Sequence, residues 1–219
     1  GLVTHRRVDF DDRTNRYRLG LKLISLASAA IDRYGLARFA EEPLNRLMRQ
    51  TSDTVYLSLC SGDDAVCVDR REGDFPIRTL TLKVGDFRPL GIGAGSMALL
   101  AFQSEERRSE IIKRDLNRRE SFGIPDSWLI PALNESREKG YALNDGQLIQ
   151  GMSGIGVPVR KSDGTAIAAF SVAAITDRMT GDRREEVVGH LKDAAAYLEN
   201  AAADIISSPL ARRFSVQGT

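Results

Sequence analysis

Apolar residues recur along this chain with two different periods, and the switches between those periods mark its elements. At the start, Val3, Val8, Phe10 and Tyr17 stand singly among charged residues, and Asp11-Asp12-Arg13-Thr14-Asn15 has the make-up of a turn. This predicts a β-hairpin, too small to fold alone. From Leu19 the period lengthens. Leu19, Leu23, Leu26 and Ala30 share one helical face, with Ile24, Ile31 and Tyr34 beside it, and Gly35 supplies a stop. A second amphipathic helix carries Phe39, Ala40, Leu44, Leu47 and Met48 on its apolar side, with Pro43 in its early turns.

The period then shortens. Val55, Leu57 and Leu59 alternate with Tyr56, Ser58 and Cys60, and Ser61-Gly62-Asp63-Asp64 reads as the turn of a hairpin over 54–70. If Cys60 faces Ala65, then Val66 and Val68 join the Leu57 face, and Cys60 and Cys67 become diagonal neighbours. Diagonal positions sit roughly 7–8 Å apart, which disfavours a disulfide. Ile77 to Val84 reads as a further strand, followed by a turn at Gly85-Asp86. Gly91-Ile92-Gly93-Ala94-Gly95-Ser96 then feeds an apolar helix through Met97, Leu99, Leu100 and Phe102. Charged helices are expected over 104–119 and 126–139, the second closing at Gly140. Two apolar strands, Ile155–Val159 and Ala166–Ala174, flank the turn Lys161-Ser162-Asp163-Gly164. A last helix starts near Asp182, with a stripe of Val187, Leu191, Ala194, Leu198, Ala201 and Ile205, and Pro209 ends it. Hairpin strands with helices before, between and after them indicate an α+β fold.

Composition narrows the class. With 219 residues, 42% hydrophobic and 28% charged, the chain can bury one sizeable core. No apolar run reaches the roughly 18 residues of a membrane helix, and no signal-peptide pattern opens the chain. A cytoplasmic protein is the simplest reading, and two cysteines cannot build a disulfide framework. The missing initiator Met predicts that the chain begins partway through a longer protein. The net charge of +1 is too small for whole-chain nucleic-acid binding. It is unevenly spread, however: up to Lys22, Arg6, Arg7, Arg13, Arg16, Arg18 and Lys22 face only Asp9, Asp11 and Asp12.

Enzyme chemistry finds little support. His5 and His190 lie far apart, with no nucleophile and base in a recognisable arrangement. No HExxH, CxxC or His cluster suggests a metal, and no cofactor is expected. The spacing of Gly91, Gly93 and Gly95 is similar to a dinucleotide loop, but that fingerprint requires glycine where Ser96 stands and a βαβ context that is absent. A glycine-rich entry to a helix leaves backbone N–H groups and the positive dipole end aimed at one spot, where a small carboxylate fits; tight packing of a strand-to-helix turn explains the glycines equally well. A second cluster, Gly151-Met152-Ser153-Gly154-Ile155-Gly156, precedes a strand. Together the two segments could frame an apolar pocket with a few hydrogen-bonding groups.

In order along the chain, six segments resemble the IclR family of bacterial transcription regulators. They are Tyr17-Arg18-Leu19-Gly20, Thr54-Val55-Tyr56-Leu57, the run from Val84 to Leu90 with Gly93 to Ala101, Lys139 to Asn144, Gly151 to Val159, and Ala168 to Ala173. The resemblance spans about Leu2 to Ile206. It implies a non-enzymatic, cytoplasmic DNA-binding regulator, repressor or activator, that acts as a homodimer or homotetramer. It also implies the fold: a GAF-like curved antiparallel sheet flanked by helices, over 36–207. A linker helix over 19–35 and the wing hairpin of a winged helix-turn-helix over 1–18 would precede it, and a flexible tail over 208–219 would follow. The linker stripe would be a dimer candidate. The recognition helix would lie upstream of Gly1, and Arg6, Arg7 and Arg13 would meet DNA phosphates, which position rather than specify.

The resemblance also implies a small-organic-acid effector, held by backbone N–H groups at Gly93 and Ala94. Further pocket positions fall on Asn144, Gly154, Ser171 and Ala173, where the family carries Asp, Cys, Ser and Ser; its Gly-Lys-Ala step has Ser96 instead of Lys. With Phe87 and Met152 as apolar walls, these departures describe a larger, less polar and less negative pocket, suited to a bulkier acid such as an aromatic one. The competing expectation is a GAF-like oligomerisation module with a vestigial pocket.

Overall fold

The computed structural model describes the backbone of residues 8–11 and 16–19 and the segment 36–203. The expected linker helix, the tail, Pro209 and the wing arginines Arg6, Arg7 and Arg13 lie outside the described residues. The first hairpin is present as β1 (Val8–Asp11) and β2 (Arg16–Leu19), antiparallel, with Asp11 opposite Arg16.

The remaining strands form one curled antiparallel sheet: β3 (Thr54–Ser61), β4 (Asp64–Arg71), β5 (Phe87–Pro89), β6 (Ala142–Asp145), β7 (Met152–Arg160) and β8 (Ala166–Ile175). Their order is β5-β4-β3-β8-β7-β6. Helices cover both faces. On one, α1 (Leu36–Thr51) and α6 (Gly181–Ala201) pack on Val55, Leu57, Leu59, Phe170 and Val172. On the other lie α2 (Ala94–Ala101), α3 (Glu105–Arg114) and α5 (Asp126–Lys139), with short α4 (Leu116–Glu120) between the last two. Covering both faces explains why β3 is buried from Thr54 to Leu59 although its residues alternate in polarity.

Local chemistry sets the ends of these elements. Ser104 caps α3 by accepting a hydrogen bond from Arg107 N at 3.2 Å. Gly140 ends α5 in the left-handed conformation, with φ of 77°. Asp53, buried at the start of β3, accepts from Arg178 Nε at 2.9 Å and Arg183 Nη2 at 2.7 Å, tying the beginning of α6 to the sheet.

Cys60 does face Ala65, and both cysteines are free. A bulge at Leu57/Ser58 leaves Val68 without a partner and sets Asp69 opposite Leu57. Two expectations need correction. Residues 77–84 form no strand, and β5 begins only at Phe87. Side chains occupy carbonyls of the 77–84 segment in place of a ladder: Tyr56 Oη donates to Thr79 O, Arg88 Nη2 to Thr81 O at 2.5 Å and Arg70 Nη1 to Leu82 O at 2.9 Å. It is a strap fastened over the sheet, and Ile77, Leu80 and Val84 are about half exposed. At the end of the last helix Ala202, and not Ala201, is buried, and Ile205 lies outside the described residues. β6 had no counterpart in the sequence pattern, because four residues without a β-branched side chain give almost no periodic signal.

Candidate functional site

The start of α2 approaches the sheet unusually closely, and glycine permits it. Gly156 on β7 lies so near that a Cβ there would stand 2.3 Å from Ala94 O and 2.5 Å from Ala94 C. Gly154, two residues earlier, would bring a Cβ to 3.3 Å from the Ala94 methyl. The space left by the missing side chain at 154 is therefore partly taken by Ala94. Gly93 precedes the helix with φ of 83° and offers no side-chain cap, so the first amides of α2 are left without intrahelical partners. Ser96, in place of the family's Lys, folds the loop back on itself: its Oγ donates to Pro89 O at 2.9 Å and accepts from Gly91 N at 3.0 Å.

In front of this helix start lies a cavity of about 70 Å³, walled by β3, β7, β8, the strap and the 144–152 loop. Gly93, Ala94, Asn144, Gly154, Ser171, Ala173 and Met152 all line it. Phe87 does not. It is 61% exposed on the short edge strand β5, and the apolar wall comes instead from Leu82, Ile92, Leu148 and Ile149. The reason is register: Arg88, not Phe87, takes the inward position of the strand.

The cavity is also more polar than the sequence indicated. Tyr56, Ser58, Thr79, Thr81, Arg88 and Ser153 line it, and no carboxylate does. Ser58 and Ser171 are buried as residues, at 4% and 8% exposure, while their hydroxyls open onto the cavity with no protein hydrogen-bond partner among the described residues. Both converge on the helix start, since a Cβ on Gly95 would lie 3.0 Å from Ser171 Oγ and 3.8 Å from Ser58 Oγ. Asn144 accepts from Leu148 N at 3.2 Å, while its Nδ2 makes only a weak 3.9 Å contact with Met97 Sδ, which leaves donor capacity. Met152 Sδ accepts from Thr79 Oγ1 at 3.3 Å, linking the strap to β7. Burial lowers the pKa of Arg88, as expected for a cation removed from water.

Ser58 was legible in principle. The alternation of β3 puts Tyr56 and Ser58 opposite Leu57 and Leu59, and polar residues on an inner strand mark a cavity wall. Arg88 and the threonines of the strap gave no such signal, because only the fold brings the strap over the sheet. Among the described residues, no group of His, Cys, Asp and Glu side chains could hold a metal.

The family model for the C-terminal domain of the bacterial transcriptional regulator IclR matches residues 28–200. The chain belongs to the IclR family. The HTH-type transcriptional regulator KipR of Bacillus subtilis is 28% identical over 85% of this chain and 75% of its own length. The crystal structure of Thermotoga maritima IclR shares 26% identity and a TM-score of 0.76, over 92% of this chain and 82% of that one. An IclR homologue from Microbacterium hydrocarbonoxydans, complexed with 4-hydroxybenzoate, has a TM-score of 0.76 at 22% identity, over 94% of this chain and 82% of its own; that likeness is one of fold. These IclR relatives are regulators and not enzymes, as read from the sequence of this chain. Among the described residues, no helix is long and apolar enough to cross a membrane.

Proposed function

We propose that this IclR-family protein senses a small organic acid in the cavity before α2 and converts its binding into a change in operator affinity. The observation that carries the reading is the pair of Ser58 and Ser171 hydroxyls, which open onto the cavity without a protein partner among the described residues, beside a helix start whose first amides have no intrahelical partner. A carboxylate could accept hydrogen bonds from all of them at once. The apolar wall of Leu148, Ile149 and Met152 favours an aromatic acid over a two- or three-carbon one. A protein of this fold complexed with 4-hydroxybenzoate supports that choice, since it shows that the architecture can accommodate an aromatic acid.

DNA would be bound through the winged helix-turn-helix typical of the family, with Arg6, Arg7 and Arg13 of the wing on phosphates. The protein would act in the cytoplasm as a homodimer or a dimer of dimers. Thermal-shift and calorimetric titration with benzoate, 4-hydroxybenzoate, pyruvate and glyoxylate tests the effector class, because a ligand of the folded state raises Tm. Aromatic acids are expected to bind more tightly. Tighter binding of pyruvate-sized acids would overturn the preference for an aromatic acid, and no stabilisation by any acid would favour an oligomerisation module with a vestigial pocket.

A further inference from the structure

Arg88 is the single charged side chain among the residues lining the cavity. It reaches inward from β5, and its two terminal nitrogens face different ways. Nη2 donates to Thr81 O of the strap at 2.5 Å. Nη1 is directed toward the start of α2, where a Cβ on Gly93 would lie 3.6 Å from it. Among the described residues no carboxylate stands within ion-pairing distance of this guanidinium, whereas many other arginines here, such as Arg70, Arg107 and Arg178, have one. A partly buried guanidinium on which a carboxylate, that of Asp86, acts only from beyond ion-pairing distance pays a desolvation penalty that a bound anion would offset. The helix start and the two serine hydroxyls flank the same space. A planar carboxylate there could take a forked pair of N–H bonds from arginine, which an ammonium cannot supply.

We propose that Arg88 is a specificity-determining residue of the cavity, pairing with the effector's carboxylate beside Gly93 and selecting the ionised acid over its neutral analogues. The proposal rests on the reading of the cavity as an acid-sensing site. It adds a side-chain cation, carried by the short edge strand β5, to the backbone and hydroxyl donors already described.

The test is calorimetry on the full chain with 4-hydroxybenzoate, benzoate and the neutral 4-hydroxybenzamide, comparing the parent with Arg88→Gln and Arg88→Lys. Arg88→Gln keeps a donor for Thr81 O, and circular dichroism with thermal melting checks that it folds. Arg88→Lys keeps the charge but not the fork, so a folded cation variant is available even if glutamine is not tolerated. The parent is expected to bind the acids at least tenfold more tightly than the amide. Arg88→Gln should lose at least tenfold in acid affinity with amide affinity unchanged, and Arg88→Lys should fall between. Equal acid affinity in the parent and either folded variant overturns the role of Arg88 while leaving the site reading intact. A parent that binds none of the acids overturns the site reading, and this inference with it.

Discussion

Replacing Gly156 by alanine asks how closely α2 must sit on β7. A methyl group at this position would start 2.3 Å from Ala94 O, 2.5 Å from Ala94 C and 2.8 Å from Gly95 N, all of them backbone atoms. Ordinary contact lies more than an ångström further out, so either the helix or the strand must move. The strand is held on both sides, with Gly156 opposite Ala142 of β6 and Ser171 of β8. The helix is held by its wholly buried apolar residues, Met97, Leu99 and Leu100 among them. Neither can yield cheaply, which places the cost at the upper end of overpacking, about 3 kcal/mol. For a domain of this size that lowers Tm by about 6–12 °C. Gly189→Ala is the matched control. It lies inside α6 with nothing within 4 Å of an added Cβ, so the usual helix preference for alanine should raise stability by about 0.5–1 kcal/mol. Differential scanning calorimetry of the two variants reads both effects. A Gly156→Ala protein melting within 2 °C or so of the parent would refute the claim that helix and strand backbones are locked together here. Because the movement displaces Gly93 and Ala94, acid affinity should fall as well.

Further outcomes follow from the same geometry. Ser171→Ala and Ser58→Ala should each weaken acid binding by roughly 10- to 100-fold, the range for a hydrogen bond to a charged group, with little change in Tm; unchanged calorimetric affinity in both would remove the hydroxyls from the site. Fully buried Arg119 donates to Ile111 O at 3.2 Å, Ile112 O at 2.5 Å and Asp126 Oδ1 at 2.6 Å. Arg119→Ala should therefore cost about 3 kcal/mol, near the low end for a broken buried pair because Asp126 is partly exposed; a urea midpoint equal to the parent's would contradict this. Burial pushes the Cys60 and Cys67 thiols up to about 11. Both should therefore label slowly at pH 7 in the native state, with the rate climbing about tenfold per pH unit until near that value. The sign for stability is fixed by the same shift: the folded state holds these protons more tightly. Their contribution is complete below the ordinary thiol pKa and is lost as pH rises from about 9 toward 11. Rapid labelling at pH 7 would show an activated thiol instead.

Much of this was legible in the sequence because period and punctuation are local properties. The 3.6-residue stripe of Leu44 and Leu47, the alternation in β3, Gly140 as a helix stop and the Lys161–Gly164 turn each depend on neighbours a few residues away. The motif order was sufficient for the family, and with it pointed to the segment at Gly93-Ala94 and to a minority of the residues that line the cavity. Ile77–Val84 misled because alternation reports an extended backbone but not its partner. Here the carbonyls are taken by Tyr56, Arg70 and Arg88 side chains rather than by a strand.

By itself, then, the sequence determined most of the helices and strands, though not the strap over 77–84 or β6, the apolar face of each, and that glycines gather where a helix begins. Only the tertiary structure decided what those glycines are for. Gly154 and Gly156 lie about sixty residues from Ala94, and their lack of side chains gains its meaning when α2 lies against β7. The same holds for the polarity of the cavity. Ser58, Arg88 and Ser171 come from three strands whose proximity depends on sheet order, and a single-residue difference in register points Arg88 inward and Phe87 to solvent. Local patterns fix backbone geometry and hydrophobic faces, whereas a binding site depends on non-local distances that those patterns do not encode.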